Sequence, residues 1–294
     1  MAIVAAGIAA SCLPAAARAY CWPLRPFDRP HAIRGGFDDP RLHVDLEGVQ
    51  TLASFHFGVD IAARDGTPVY AVARGRVTVH PDSVVLQSAG GRVFGYWHVG
   101  AAVATGERVR LHQLLGYVHD GWDHLHFAES RHGVYLDPLR LGALTPFRDV
   151  TAPSVETVRL VDARGDPVRS PSRAAGVVAA IFDTPPVTPP APWELVRLAP
   201  ALIRWRLVRD GTPVTQWRVV ADFTRLVPAA LFGWVYAPGT EQNKPDHPGR
   251  YLYWVTHSLD AWRLRRGVYV VQVEAEDTRG NVGRDSLAFT IGRA

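Results

Sequence analysis

Apolar residues recur at every second position in short runs along this chain, and the runs stop at Gly, Pro or Asp-Gly. A period of two suits β-strands, whose side chains alternate between faces, and the first half holds no long 3.6-residue period. "HFGVDIAA" (56–63), "TPVYAVARGRVTV" (67–79), "SVVLQSA" (83–89), "RVFGYWHV" (92–99), "LLGYVHD" (114–120) and "DHLHFAES" (123–130) all read as strands. Residues 20 to about 36 form a turn-rich entry, and 137–153 form a Pro-punctuated connector. After it, "TVRLVDA", "GVVAAIFD", "LIRWRLVRD", "VTQWRVVADF", "RYLYWVTHS", "GVYVVQVEAED" and "SLAFTIG" make seven further candidate strands. The expected fold is mainly β, an antiparallel sheet domain followed by an immunoglobulin- or fibronectin-like sandwich. The Pro-rich stretch 183–195 is expected to pack over the sandwich surface. With 294 residues, the chain is long enough for two cores. The expected division is 20–150 and 151–294, after a leader at 1–19.

That leader carries a short apolar stretch, Pro14 and an Ala17-Arg18-Ala19 site of the A-x-A kind, which reads as a signal peptide for export to the periplasm, cell envelope or exterior. No Lys or Arg precedes the apolar part. Cys12, after Ala9-Ala10-Ser11, admits a lipoprotein reading that the short apolar stretch weakens. Cleavage after Ala19 would leave Cys21 as the remaining cysteine, so cysteine usage says little about compartment. No uninterrupted apolar run reaches the roughly 18–20 residues of a membrane-spanning helix. The net charge of +4 is nearly all arginine, with Lys244 the single lysine, and acids are interspersed throughout. That pattern excludes a nucleic-acid footprint. It suits a polyanionic surface such as a cell wall and equally an ordinary balanced surface.

The chemistry concentrates in "WDHLHFAES" (122–130). On a strand, His124 and His126 share one face while Leu125 and Phe127 share the other; alone, such a pair is a metal site or two solvated polar residues. "FHFGVDIAA" adds His56 and Asp60, four apart and so on one face if the strand runs through them. Gly58 between them keeps a side chain out of that space, and Phe57, Val59 and Ile61 make the apolar side. Two imidazoles and a carboxylate with an open fourth position suit catalytic zinc, whereas a closed structural site more often recruits cysteine. A single histidine in a strand is more often a satisfied polar residue; the joint set reverses that reading.

These residues resemble the lysostaphin-type (LytM-like) zinc metallopeptidases, which cleave peptides of bacterial peptidoglycan. Their H-x-x-x-D motif matches His56 and Asp60, and the second His of their H-x-H motif matches His126. The resemblance implies that these three hold Zn2+. It implies catalytic roles for His124, the first His of H-x-H, and for His98 in "GYWHVG". The likeness spans about 110 residues, with Gly58, Gly75, Tyr96 and Phe127 around the motifs. It departs from the family in a short loop before H-x-H, "GYVHDGWDHLHF", which bears His119, Asp120, Trp122 and Asp123, so the resemblance does not carry over the shape of that groove wall or the cross-link specificity. The C-terminal sandwich lies outside it.

The expected activity is therefore zinc-dependent endopeptidase hydrolysis of peptidoglycan stem peptides or cross-links. The ion would lower the pKa of water toward ~7, and His98 and His124 would serve proton transfer and oxyanion stabilisation. Zincins use a Glu beside the ligand, but Glu129 and Asp123 are out of phase with the ligand face. The rival from another class is a non-hydrolytic LytM-like protein that binds peptidoglycan or regulates an amidase; such relatives usually lose site residues, and all five are kept here. A weaker reading makes the sandwich a glycan-binding module. His31, His43, His80, His112, His132, His247 and His257 read as surface or locally bonded, with a minority groove role left for His119 and Asp120. Trp22, Trp122 and Tyr96 are candidate groove-lining residues, whereas Trp205, Trp217, Trp234, Trp254 and Trp262 suit sandwich packing. The short lead before the first strand leaves the C-terminal half as the expected source of any occlusion.

Overall fold

A computed structural model of the chain describes residues 19–44, 50–119, 121, 123–162, 164–169, 171 and 175–292. The expected leader, save Ala19, and the loop residues Asp120 and Trp122 lie outside the described residues. The fold is mainly β with antiparallel sheets. In chain order the first half runs β1 (Ile33–Gly35), β2 (Pro40–Val44), β3 (Gln50–Phe55), β4 (Val59–Ala62), β5 (Pro68–Tyr70), β6 (Gly75–His80) and β7 (Ser83–Gln87). There follow β8 (Arg92–Trp97), β9 (Val99–Ala101), β10 (Arg108–Val109), β11 (Leu114–Val118), β12 (His124–Arg131) and β13 (Val134–Leu136). Among the described residues an eight-stranded sheet has the order β1-β4-β12-β8-β7-β6-β10, with β13 on β12. A smaller sheet, β5-β11-β9, lies beside it, and β2 and β3 form a separate hairpin.

Strand alternation decides what each face of the large sheet does. Val59 and Ile61 on β4, Leu125 and Phe127 on β12, and Phe94 and Tyr96 on β8 all point to one side and are fully buried. They form one apolar cluster with Val69, Val99, Leu115 and Val118 from the smaller sheet. Burying side chains of this size stabilises the fold by roughly 1.5–3 kcal/mol each, an upper estimate because the unfolded chain is not fully extended. The opposite face is thereby left for polar residues. Trp22 and Tyr96 belong to this core, each 0% exposed, and so do not line a groove. Their polar ends are satisfied inside, with Trp22 Nε1 donating to the Pro146 carbonyl and Tyr96 Oη accepting from the Val72 amide.

Three local expectations change. The stretch 67–79 is two strands, β5 and β6, which sit in different sheets. The stretch 92–99 breaks at His98, where φ is 62° and the chain passes from β8 to β9. The hairpin β2–β3 was not foreseen: β2 (PRLHV) and β3 (QTLASF) carry few of the β-branched and aromatic residues that mark the other strands.

The second half contains β14 (Ser154–Val161), β15 (Pro167–Val168), β16 (Gly176–Phe182), β17 (Leu202–Arg209) and β18 (Thr212–Pro213). It continues with β19 (Arg218–Asp222), β20 (Leu252–Thr256), β21 (Gly267–Glu276) and β22 (Val282–Ile291). One sheet has the order β15-β14-β16-β20; the other is β18-β17-β21-β22 with β19 on β17. Both contribute to a second apolar cluster that includes Trp205, Val177, Val271 and Tyr253. The β21–β22 hairpin turns at Asp277, whose Oδ1 accepts the amides of Arg279 and Asn281. Trp217 lies beneath Arg206, 4.6 Å from its guanidinium, and Trp234 is exposed and stacked on His257 at 3.9 Å. His112 stacks on Phe27 and His31 bonds the Pro26 carbonyl, both local roles.

The halves exchange residues. Phe55, at the end of β3, packs in the second core against Phe223, Phe232 and Tyr236, while Leu198 packs in the first. Tyr236 Oη donates to the Asp38 carbonyl, and the Ala199 amide donates to Asp39 Oδ1.

Glu129 explains how β12 is anchored from behind. Its side chain, 1% exposed on the core face, accepts from Tyr20 Oη at 2.8 Å and pairs with Arg140 at 2.8 Å and Arg92 at 3.1 Å. Removing the anion leaves two partly buried guanidiniums without their partner, which costs about 3 kcal/mol. Glu129→Ala is expected to lower the urea unfolding free energy by about that amount. A change below 1 kcal/mol would show that the cluster does not anchor the strand.

Candidate metal centre

The site stands on the polar face of the large sheet. β12 lies between β4 and β8, and the antiparallel register sets His126 opposite Asp60 on one side and Trp97 on the other. Directly opposed residues on one face bring their Cβ atoms to about 5 Å, so register alone delivers an imidazole to a carboxylate. His124, two residues earlier on the same face, is set opposite Ala62.

His56 arrives differently from the expected continuous strand. It lies in the bend between β3 and β4, its amide donating to the Asp39 carbonyl and its carbonyl accepting from the Asp38 amide. The bend also turns Phe57 onto the site side, where its ring packs 4.5 Å from that of His126; Val59 and Ile61 keep the expected apolar side. Gly58 is required by space. A Cβ there would lie 2.5 Å from the Phe127 carbonyl oxygen and 2.9 Å from His126 Nε2.

Three ligand atoms converge: His56 Nε2 and His126 Nδ1 are 2.8 Å apart, and each is 3.1 Å from Asp60 Oδ1. Donors at about 2.0–2.2 Å from a tetrahedral ion are about 3.3–3.6 Å from one another, so the triad has nearly the spacing of three corners around zinc. His124 Nε2 stands farther out, 3.4 Å from Asp60 Oδ1. The His98 ring lies 4.6 Å from that of His124 and 6.4 Å from that of His126. The five residues singled out in the sequence are thus brought together, with the two groups of roles on adjacent sides of Asp60.

The surroundings orient the donors. His56 Nδ1 donates to the Gly36 carbonyl at 2.6 Å, which fixes the tautomer with its lone pair on Nε2, toward Asp60. Arg41 pairs with Asp60 Oδ2 at 2.7 Å and leaves Oδ1 for the three imidazoles. Gly35 makes room for this pair, since a Cβ there would be 2.5 Å from Asp60 Oδ2. Gly95 likewise lets the Trp97 ring lie back toward His126, 5.0 Å away. Arg41, Gly35 and Trp97 carried no signal of their own: nothing in the sequence links them to His126 or Asp60 before strand pairing does.

Burial, followed by the Arg41 charge, pushes the His56 pKa down to about 3; burial and the neighbouring His124 push His98 down to about 4. His126 is also lowered, chiefly by burial. Burial would raise the Asp60 carboxyl, but His56, Arg41 and hydrogen bonds from His124 and His126 together hold it well below the carboxylate range. At neutral pH the site therefore offers neutral imidazoles and a carboxylate, the forms that bind a metal.

The structure also separates residues near the motif. His119 sits over Gly100 and does not line the cleft, and Asp123 Oδ1 accepts the Asp65 amide at an exposed turn. The cleft over the triad encloses about 440 Å³ and is lined in part by Phe57, Trp97 and, from the second half, Trp193, Gln242 and Asn243. The 183–195 stretch thus reaches the metal face instead of lying wholly over its own sheets.

Two outcomes follow for the metal-free protein. His98 is expected to titrate near pH 4 by imidazole NMR, against 6.5 for an unperturbed ring. Since its folded value lies below its unfolded one, the ring favours the folded state fully above about pH 6.5 and progressively less as pH falls toward 4. A midpoint at 6.5 would contradict this environment. Gly58→Ala is expected to cost about 2 kcal/mol in chemical denaturation through overpacking against Phe127 and His126.

Residues 54–138 match the family description "Peptidase family M23". No curated protein matches the chain. Among solved structures, the chain is similar to a zinc-containing peptidase from Vibrio cholerae at 26% identity and TM-score 0.32, over 40% of this chain and 37% of that one. It is similar to the catalytic domain of the prophage-encoded M23 protein EnpA from Enterococcus faecalis at 24% identity and TM-score 0.25, over 33% and 82% of the two chains. A third likeness is to the SpoIIQ–SpoIIIAH pore-forming complex at 20% identity and TM-score 0.31, over 38% and 87%. The ordered His-Asp and His-x-His strands lie inside the matched segment, and residues 54–138 of this chain are a peptidase M23 domain of the LytM type.

Proposed function

We propose that the chain is a zinc-dependent endopeptidase that hydrolyses peptide bonds in bacterial peptidoglycan stem peptides or cross-links, acting as an exported protein. The convergence of His56 Nε2, Asp60 Oδ1 and His126 Nδ1 beneath an open cleft carries this reading. In the reading, these three residues hold the ion. Zinc bound there would polarise a peptide carbonyl and lower the pKa of water toward ~7.

The chain's own residues supply the rest. His124 and His98 line the cleft beside Asp60, and in this reading they serve proton transfer and hydrogen bonding to the developing oxyanion. His98 is neutral at pH 7 and so able to accept a proton. Its left-handed backbone, at φ 62°, turns the ring back over the sheet at a cost of about 1 kcal/mol, and the His119 amide bonded to its carbonyl holds that turn. Glu129 takes no part, being sealed on the core face with Arg92 and Arg140. Phe57 and Trp97 shield the His126 side from water. Among the described residues no helix is long and apolar enough to cross a membrane.

The purified protein is expected to hold about one zinc per chain by elemental analysis, and His56→Ala and Asp60→Ala to lose it. His124→Ala is expected to keep the metal while release of new amino termini from purified peptidoglycan falls by roughly 10²–10⁴-fold. Metal retained in both ligand variants, or no release by the wild type, would overturn the reading.

A further inference from the structure

The cleft over the metal triad has walls from both halves of the chain, and the second-half wall is tied together. Trp193, on the Pro-rich loop, and Gln242 and Asn243, on the loop before β20, all face the same space as His56 and Asp60. Asn243 joins the two loops, its Oδ1 accepting the Arg197 amide and its Nδ2 donating to the Arg197 carbonyl. The Asp246 amide donates to the Pro192 carbonyl, one residue before Trp193. Gln242 crosses to the first half, where its Oε1 accepts the Leu42 amide on β2.

Arg34 on β1 lies against this wall, with its guanidinium 4.3 Å from the centre of the Trp193 ring. Stacking uses the face of the guanidinium and leaves its edge donors for a planar partner, the geometry that suits a carboxylate. No ion pair fills that role among the described residues, for the Asp60 carboxylate is taken by Arg41. Asp60 is moreover the single acid among the described residues lining the cleft, while Arg34 and Arg41 both line it. With Asp60 offset by Arg41, Arg34 is the remaining charge among the described arginine and acidic residues lining the cleft, which favours an anionic ligand beside it.

We propose that the second half of the chain completes the substrate cleft: Trp193 braces Arg34 beside the metal triad, and Arg34 binds a free carboxylate of the peptide substrate. The inference rests on reading the cleft as a peptide site. It assigns Arg34 and Trp193 to specificity, and it makes the protein selective for stem peptides with free carboxylates over their amides.

The test uses the full chain freed of metal by a chelator, so that binding is read without turnover. Titration calorimetry compares a peptidoglycan stem tetrapeptide bearing free side carboxylates with the same peptide as carboxamides. The wild type is expected to bind the acid about tenfold more tightly, as one charge-assisted hydrogen bond allows. Arg34→Gln and Trp193→Ala should bring the ratio close to one, and Arg34→Lys should keep at least threefold. Equal affinities in the wild type, no binding of either peptide, an unchanged ratio in Arg34→Gln, or an Arg34→Lys variant as unselective as Arg34→Gln would each overturn the proposal. Cleavage of the same peptides by the zinc-loaded protein is scored apart. Selective binding without cleavage would sink the peptidase reading and leave this inference standing.

Discussion

The antiparallel pairing of β12 with β4 on one side and β8 on the other is the constraint on which the rest depends. Because side chains alternate, one register decides both faces at once. It sends Val59, Ile61, Leu125, Phe127 and Tyr96 into the core, and Asp60, His124 and His126 to the opposite side. A slip of one residue would turn His124 and His126 into the apolar core and Phe127 onto the polar face. The apolar core is therefore what makes the polar cluster reproducible, and Glu129 with its two arginines locks the same strand from the core side.

Holding a carboxylate and several imidazoles together away from water is costly unless each is given a partner. Here the partners are built around Asp60: one oxygen faces Arg41, and the other faces the three imidazoles. The Gly36 carbonyl orients His56, and Gly35 and Gly58 keep their own side chains out of the way. The result is that His56 and His126 stay neutral and Asp60 stays charged at neutral pH, the forms suited to a cation. The left-handed turn at His98, between β8 and β9, adds a fourth imidazole.

The second half is continuous with this site. Phe55 leaves β3 to pack in the second core and, in doing so, sets where the bend at His56 begins. The bonds from Tyr236 and Ala199 to the Asp38 and Asp39 segment hold the chain that in turn pairs with the backbone of His56. Stability of the second half is thus expressed at the His-Asp-His face, and the wall formed by Trp193 and Gln242 follows from the same docking.

Local patterns in the sequence were enough to identify the β class, the seven principal strands of the second half and five residues that the fold brings together. Alternation, turn residues and the H-x-x-x-D and H-x-H spacings are properties of neighbours along the chain, and Gly58 between His56 and Asp60 could be read in the same way. The break of 67–79 into two sheets, the hairpin 40–55 and the turning of Phe57 onto the site were decided by which strand met which, and no local period records that. The same holds for Arg41 on Asp60, Trp97 against His126, and Trp193 over Arg34, pairs separated by 19, 29 and 159 positions. Sequence alone determined which groups were available for chemistry. The tertiary structure decided which oxygen of Asp60 they share, which partners keep the rings neutral, and that a loop from the far half of the chain closes the cleft, because burial and hydrogen-bond satisfaction act only once distant segments are in contact.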